Sequence, residues 1–425
     1  MADSSRVFSL EGRGLKLDTA EDIEPYIKSL RENDDVEEVH LLGNTLGIGA
    51  SEALAKVLET KKKLKVANLA DIFTARLLSE IPPALSHLLT SLLTLPNLHT
   101  VNLSDNAFGL NTQAPLVDFL SQHIPLRHLI LNNNGLGPAA GVLIADALTA
   151  LAEKKEAARS QGKEVPNLET VICGRNRLEN GSMAAWAKAY AAHRGVKEVK
   201  MVQNGIRQEG ITHLLTSGLV HASQIELLDL QDNTFTATGA TALSKVVGGW
   251  PELKELGVGD CLLSGRGGVA LFEALQKGNN KKLEVLRLQY NEINAKGVKG
   301  LHDAHTHLPA LRRIELNGNQ FDEDDEHIEK LRAILEERKE AADGVGEDDE
   351  NYWGLDDLDD LEEPESEEEE EEAEEAEEEE EGVEVEERAA RQLAIDQQAE
   401  EQTVPQEKDQ KVDDLADVLA KTEIK

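Results

Sequence analysis

With 425 residues and a net charge of −38, the chain carries a polyanionic C-terminal segment that repels nucleic acid and anionic membranes, and the expected partners of that segment are basic protein surfaces. The imbalance is local. From Asp343 onward there are 37 acidic and 6 basic residues, whereas the preceding chain holds 45 and 38.

Two cysteines, Cys173 and Cys261, are too few for a disulfide framework and fit a reducing compartment. No apolar run is long enough to span a bilayer. The first residues, MADSSRVFSLEGRG, lack the basic start and apolar stretch of a secretory leader. The expectation is a soluble, intracellular, monomeric protein in which the glycosylation sequons at Asn102 and Asn180 go unused.

Aligning the chain on the residue that ends each LxLxxN segment puts Arg13, Asn44, Ile72, Asn106, Asn134 and Asn176 in one column. Asn204, Asn233, Cys261, Asn291 and Asn319 continue it. Successive members lie 28 to 42 residues apart, and half of the intervals are 28. That period and pattern specify leucine-rich repeats. Alternating leucines such as Leu129 and Leu131 make a short strand with an inward face. An apolar helical stretch follows, as in GPAAGVLIADALTALAEKK with Pro138 near its start. No strand–helix unit can bury its apolar face alone, so neighbours must stack into one core.

The sequence therefore predicts an α/β fold: a horseshoe-like solenoid of the ribonuclease-inhibitor kind, with a parallel concave sheet and convex helices. Residues 1–342 should form this domain of eleven repeats. The 42-residue interval holds a polar stretch, EKKEAARSQGKEVP, which reads as a surface insertion between helix and strand. A last helix in EDDEHIEKLRAILEERKEAA, acidic at its start and basic later, should cap the array. Residues 343–425 are expected to be an acidic tail, largely disordered in isolation. Near its end, VDDLADVLAK has the spacing of a short recognition helix, although composition favours a merely solvated end.

Chemistry-bearing patterns are scarce. There is no GxxxxGK[ST] loop, no HExxH and no paired CxxC, so neither a nucleotide nor a metal site is expected. His302, His305 and His307 read as a solvated helix end, and both cysteines as core. What remains is the position just before each ladder residue. Through the middle of the array it holds Asp71, Asp105, Asn133, Arg175, Gln203, Asp232, Asp260 and Tyr290. These side chains should line one rim at the C-terminal ends of the strands. Each alone could be an ordinary solvated loop residue.

Three stretches depart from what the repeat needs. In DIFTAR the ladder residue is lost to Ile72, and Arg76 follows as a candidate to meet a carboxylate or phosphate. In CGRNRLENGSM, Arg175 and Arg177 flank the ladder asparagine. In LNNNGLGP, Asn134 is in register with the ladder, Asn132 reads as solvated rim, and Asn133 is left over.

These stretches, with LSDNAFG, MVQNGIR, LDLQDNTFT, LRLQYNEI and ELNGN and then the acidic tail, resemble the Ran GTPase-activating protein family in its fungal form, over essentially the whole length. The resemblance implies acceleration of GTP hydrolysis by the small GTPase Ran, in support of nucleocytoplasmic transport. GTP and Mg²⁺ would belong to Ran, so no cofactor is expected in this chain. The partner would be Ran-GTP, with a Ran-binding protein as a further one. The family's asparagine, which orients Ran's own catalytic glutamine in place of an arginine finger, falls on Asn133. Arg76 falls on an interface or supporting arginine. Asp105, Asn132, Arg175, Arg177, Gln203, Asp232, Asp260 and Tyr290 would bind the GTPase or support the site.

Animal members carry a further C-terminal domain for nuclear-pore attachment. The acidic tail in its place implies a cytoplasmic protein, with the nuclear envelope as a second address. The alternatives are a non-catalytic leucine-rich-repeat binding protein and an acidic histone chaperone. The first is usually cysteine-rich, and the second has a shorter solenoid.

Overall fold

The computed structural model describes residues 6–342 and 352–363. In chain order the strands are β1 (Val7–Ser9), β2 (Lys16–Leu17), β3 (Glu38–His40), β4 (Thr45–Leu46), β5 (Val66–Asn68), β6 (Thr100–Asn102), β7 (His128–Ile130), β8 (Thr170–Ile172), β9 (Glu198–Lys200), β10 (Leu227–Asp229), β11 (Glu255–Gly257), β12 (Val285–Arg287), β13 (Arg313–Glu315) and β14 (Gly354–Leu355). All but β2 and β4 join one twelve-stranded sheet in sequence order, and every pairing in it is parallel. This is the leucine-rich-repeat solenoid that the period predicts.

Each three-residue strand buries its middle side chain. Val101, Leu129, Val171, Val199 and Leu228 are all 0–1% exposed, and the strand pleat turns their flanking residues to the opposite face. The helices close the core from the other side. In Gly137–Ser160, Ala140, Ile144, Ala145, Leu148 and Leu151 form the buried stripe, and Pro138 sits in the first turn. Gly141 lets this helix approach the next one closely. A Cβ there would lie 2.8 Å from Leu178 Cδ2 and 3.1 Å from Ser182 Cβ.

The ladder asparagines supply what the turns lack. Asn134 is fully buried. Its Nδ2 donates to the carbonyls of Leu103 (3.1 Å) and Leu131 (3.0 Å), and its Oδ1 accepts from Asn106 N at 2.9 Å. Asn134 N in turn donates to Asn176 Oδ1, and Asn176 N to Asn204 Oδ1, both at 2.9 Å. Backbone groups that would otherwise be buried unpaired are thereby satisfied from repeat to repeat. Ile72 and Cys261 interrupt the relay. Cys261 Sγ still donates weakly to Leu230 O (3.5 Å) and Gly259 O (3.3 Å), in place of the amide nitrogen. Both cysteines are buried, as expected, and burial pushes the Cys173 thiol up to about 12 and Cys261 higher still.

Three expectations about the fold change. First, the polar stretch in the long interval is not simply a surface insertion. The helix absorbs its first half and runs to Ser160. Lys155, 1% exposed, donates from Nζ to the carbonyls of Ile124, Leu126 and Pro166 at 2.7–2.9 Å. Second, the helix Glu326–Ala341, capped by Asp325, does not end the array. Third, structure continues into the segment assigned to the tail. β14 pairs with β13, Leu358 is buried, and Asp356 accepts from the N–H groups of Leu316 (2.7 Å) and Asn317 (3.0 Å). Residues 352–363 thus cover a sheet edge that would otherwise present unpaired backbone. The polyacidic run and VDDLADVLAK lie outside the described residues.

Two buried histidines set a pH dependence. His123 and His193 each hold a carbonyl through Nε2 at 2.7 Å, Leu98 O and Leu148 O respectively. Burial lowers both from near 6.5 to about 4. Between these values the unfolded chain takes up protons that the folded one refuses. Their contribution is therefore complete above pH 6.5 and lost as pH falls to 4, at about 2–3 kcal/mol per histidine. Urea unfolding from pH 7 to pH 4 should show this loss, and His123→Gln should flatten the profile.

Candidate functional site

The rim is built by a backbone requirement. The residue before each ladder position has a positive φ in every repeat: Gly12, Gly43 and Gly318 near the ends of the array, and Asp71, Asp105, Asn133, Arg175, Gln203, Asp232, Asp260 and Tyr290 between them, at 45–60°. The chain turns there from the strand into the buried asparagine. From Gly12 to Tyr290, the N–H of each such residue still bonds the neighbouring repeat, as in Asp105 N to Asn132 O and Asn133 N to Gly174 O, both 2.9 Å. Adjacent positions therefore step along the rim at about the 4.8 Å strand spacing. Glycine, asparagine and aspartate tolerate this conformation best. Arg175, Gln203 and Tyr290 adopt it at a cost of roughly 1–2 kcal/mol each, which puts long side chains where the fold alone would ask for glycine.

The three asparagines separate cleanly. Asn134 is spent on the ladder. Asn132, expected as solvated rim, is instead half-buried: its Oδ1 accepts from Gly174 N at 2.7 Å and its N–H donates to Ser104 Oγ at 3.2 Å. Asn133 is exposed, and its Nδ2 donates to Asp105 Oδ1 of the preceding repeat at 2.9 Å. A carboxylate only accepts, so Asp105 fixes which end of the amide faces it. The Asn133 carbonyl oxygen is left pointing elsewhere on the rim.

Arg76 is not available to a partner's carboxylate or phosphate. Its side chain is 5% exposed and pairs with Asp18. Nε donates to Thr45 Oγ1 at 2.8 Å and Nη2 to Thr45 O at 2.9 Å. The guanidinium ties the lengthened third-repeat loop to the two repeats before it. Arg76→Ala should cost about 2–3 kcal/mol, because charged hydrogen bonds are lost and their acceptors stranded. Chemical denaturation would check this, and Arg76→Lys should recover little, since one ammonium cannot span the same partners.

Arg175, Arg177, Gln203, Asp232 and Asp260 are exposed on the rim. Burial, then the Asp260 charge, holds the Asp232 carboxyl above its usual range, and Arg175 opposes both. Tyr290 is exposed at its rim position, but its side chain is engaged by the chain itself. Its hydroxyl donates to Asp360 Oδ2 at 3.1 Å, and that carboxylate raises the phenol above its ordinary value. His302 is half-buried, with ring centroids 5.1 Å from His305 and 5.3 Å from His327, a tighter cluster than a solvated helix end. No metal-binding group is found among the described residues. Sequence reasoning missed Ser104, Asp18 and Thr45, which share no motif with the residues they brace.

A leucine-rich repeat profile matches residues 225–244 and 279–301. The Ran GTPase-activating protein 1 of Saccharomyces cerevisiae is 40% identical over 346 residues, covering 79% of this chain and 83% of that protein. The chain belongs to the Ran GTPase-activating protein family. Two animal members are also similar: the Xenopus laevis Ran GTPase-activating protein 1, 40% identical over 47% of this chain and 34% of its own length, and the Drosophila melanogaster Ran GTPase-activating protein, 33% identical over 74% and 52%.

Proposed function

We propose that this protein accelerates GTP hydrolysis by the small GTPase Ran, and that Asn133 carries the effect. Family membership supports the partner and the activity. The observation that supports the residue is that Asn133 alone of the three asparagines is exposed, outside the ladder, and oriented by a neighbour, Asp105.

The mechanism follows from that geometry. Ran supplies nucleotide, Mg²⁺, water and the catalytic glutamine. An asparagine amide donates and accepts at once, so it can hold a glutamine amide in the rotamer that orients water. Fixing one rotamer is an entropic contribution to the barrier. A stacked solenoid, with Asp105 holding one end of the amide, delivers it with little freedom left to lose. Arg76 acts at a distance, by fixing the loop before the site. The same reading makes the protein a cytoplasmic monomer that serves nucleocytoplasmic transport, with a Ran-binding protein as an added partner and the nuclear envelope as a second address.

The test is single-turnover GTP hydrolysis by Ran with catalytic amounts of this protein. Acceleration supports the reading. Binding without acceleration would make the protein a non-catalytic repeat protein and sink it.

A further inference from the structure

At the other ends of the strands, the residue just before each strand forms a second column, bonded neighbour to neighbour through the backbone: Lys65 N to Glu37 O (2.7 Å), His99 N to Lys65 O (3.0 Å), Arg127 N to His99 O (2.8 Å), Glu169 N to Arg127 O (2.8 Å). Its side chains alternate in sign. Lys65 pairs with Glu37 at 2.8 Å, Arg127 with Glu169 at 3.4 Å and Lys254 with Glu226 at 2.7 Å, while Lys197 sits 3.7 Å from both Glu169 and Glu226. Arg312 and Glu284 continue the alternation at 3.1 Å.

The alternation fails at one place. Between Lys65 and Arg127, where an acid belongs, stands His99. The outward positions of β5, β6 and β7 supply no substitute: they hold Val66, Asn68, Thr100, Asn102, His128 and Ile130. Where Lys197 has an acid on each side, Lys65 and Arg127 have one each. Arg127 Nε is buried and, among the described residues, makes no hydrogen bond of good geometry, its one acid being Glu169 Oε1 at 3.4 Å. The half-buried His99 ring faces the His128 ring at 6.1 Å, and its own surroundings of Lys65, Arg127 and His128 oppose its protonation, after burial. Three adjacent strands thus form a cationic window on a face that is elsewhere neutralised strand by strand.

We infer that this window is a docking position for an acidic side chain of the partner protein, which completes the column from outside by lying over His99 between Lys65 and Arg127. A carboxylate fits better than a phosphate, because the column's other anionic positions each hold one singly charged carboxylate between cations on neighbouring strands. The window lies on the strands that lead to Asp71, Asp105 and Asn133. From Arg127 to Asn133 is six residues, roughly 20 Å along the chain, so one globular partner can cover both. The inference rests on the proposed function for the identity of that partner.

The test is His99→Glu, which places the missing acid in the chain itself. Affinity is measured with Ran loaded with a non-hydrolysable GTP analogue. The variant should bind at least tenfold more weakly, and its Kd should depend less on salt. His99→Gln should fall between the two. At saturating activator the single-turnover rate should equal that of the natural protein, since the window is remote from Asn133. Its melting temperature should be equal or higher, because Lys65 and Arg127 gain an internal partner. A folded His99→Glu protein with unchanged affinity would overturn the docking assignment while leaving the activator reading intact. A natural protein that fails to accelerate hydrolysis would instead remove the reading on which the docking assignment rests. A drop in the saturating rate with unchanged Kd would also overturn the inference, since it would place the window in the catalytic step.

Discussion

Asn133→Ala is expected to lower the maximal acceleration of GTP hydrolysis by at least about 10²-fold while leaving the protein folded. The magnitude follows from the work proposed for the amide: mispositioning a reacting group by about 1 Å costs on that order. The fold survives because Asn133 contributes little to it. The side chain is exposed and its one hydrogen bond is to Asp105, also exposed, so its removal should cost only about 1 kcal/mol, mostly because alanine tolerates the left-handed backbone at this position less well than asparagine. The backbone N–H that bonds Gly174 O is unaffected. Single-turnover rates at saturating activator, read beside a urea midpoint, make the check. An unfolded Asn133→Ala protein, or one with full activity, contradicts the assignment.

Asn134→Ala should do the reverse. The side chain is completely buried, and its loss strands the carbonyls of Leu103 and Leu131 and the N–H of Asn106 in the core. Each unsatisfied buried group costs about 1–3 kcal/mol, so a loss of about 3–5 kcal/mol in unfolding free energy is expected. Under conditions where the variant still folds, its maximal rate should stay nearer the natural value than that of Asn133→Ala. Two adjacent asparagines with opposite phenotypes would show that the ladder and the rim are separate uses of one turn.

Much of this was legible in the sequence because the repeat is periodic. Eleven aligned positions give the strands, the buried middle residues, the ladder and the rim column, and register alone sets Asn133 apart from Asn134. What could not be read there are contacts between residues far apart in the chain and unrelated by the period. Arg76 looked like a surface arginine because Asp18, 58 residues earlier, carries no sign that it waits for a guanidinium. Lys155 looked like part of a polar insertion because three backbone carbonyls, which have no sequence signature, receive it. Residues 352–363 looked like tail because their composition is acidic, yet Asp356 and Asp360 are held by specific donors. The His99 window is visible in the sequence only after the structure shows which column to read.

The asparagine relay is continuous from Asn106 through Asn134, Asn176 and Asn204 to Asn233, and again from Cys261 N through Asn291 to Asn319. Ile72 cannot accept from the repeat before it, and Cys261 offers Asn233 no oxygen. In a stack whose stability is a sum of nearest-neighbour couplings, these are the joints without an asparagine bond, and the first of them has the Arg76 brace to Asp18 and Thr45 across it. Thermal fraying should therefore arrive in steps, with amide exchange releasing the outer blocks before the central one. Asn133 sits inside that central block, a repeat or more from either joint, so the ends of the array can breathe without loosening the residue on which the activity is proposed to depend.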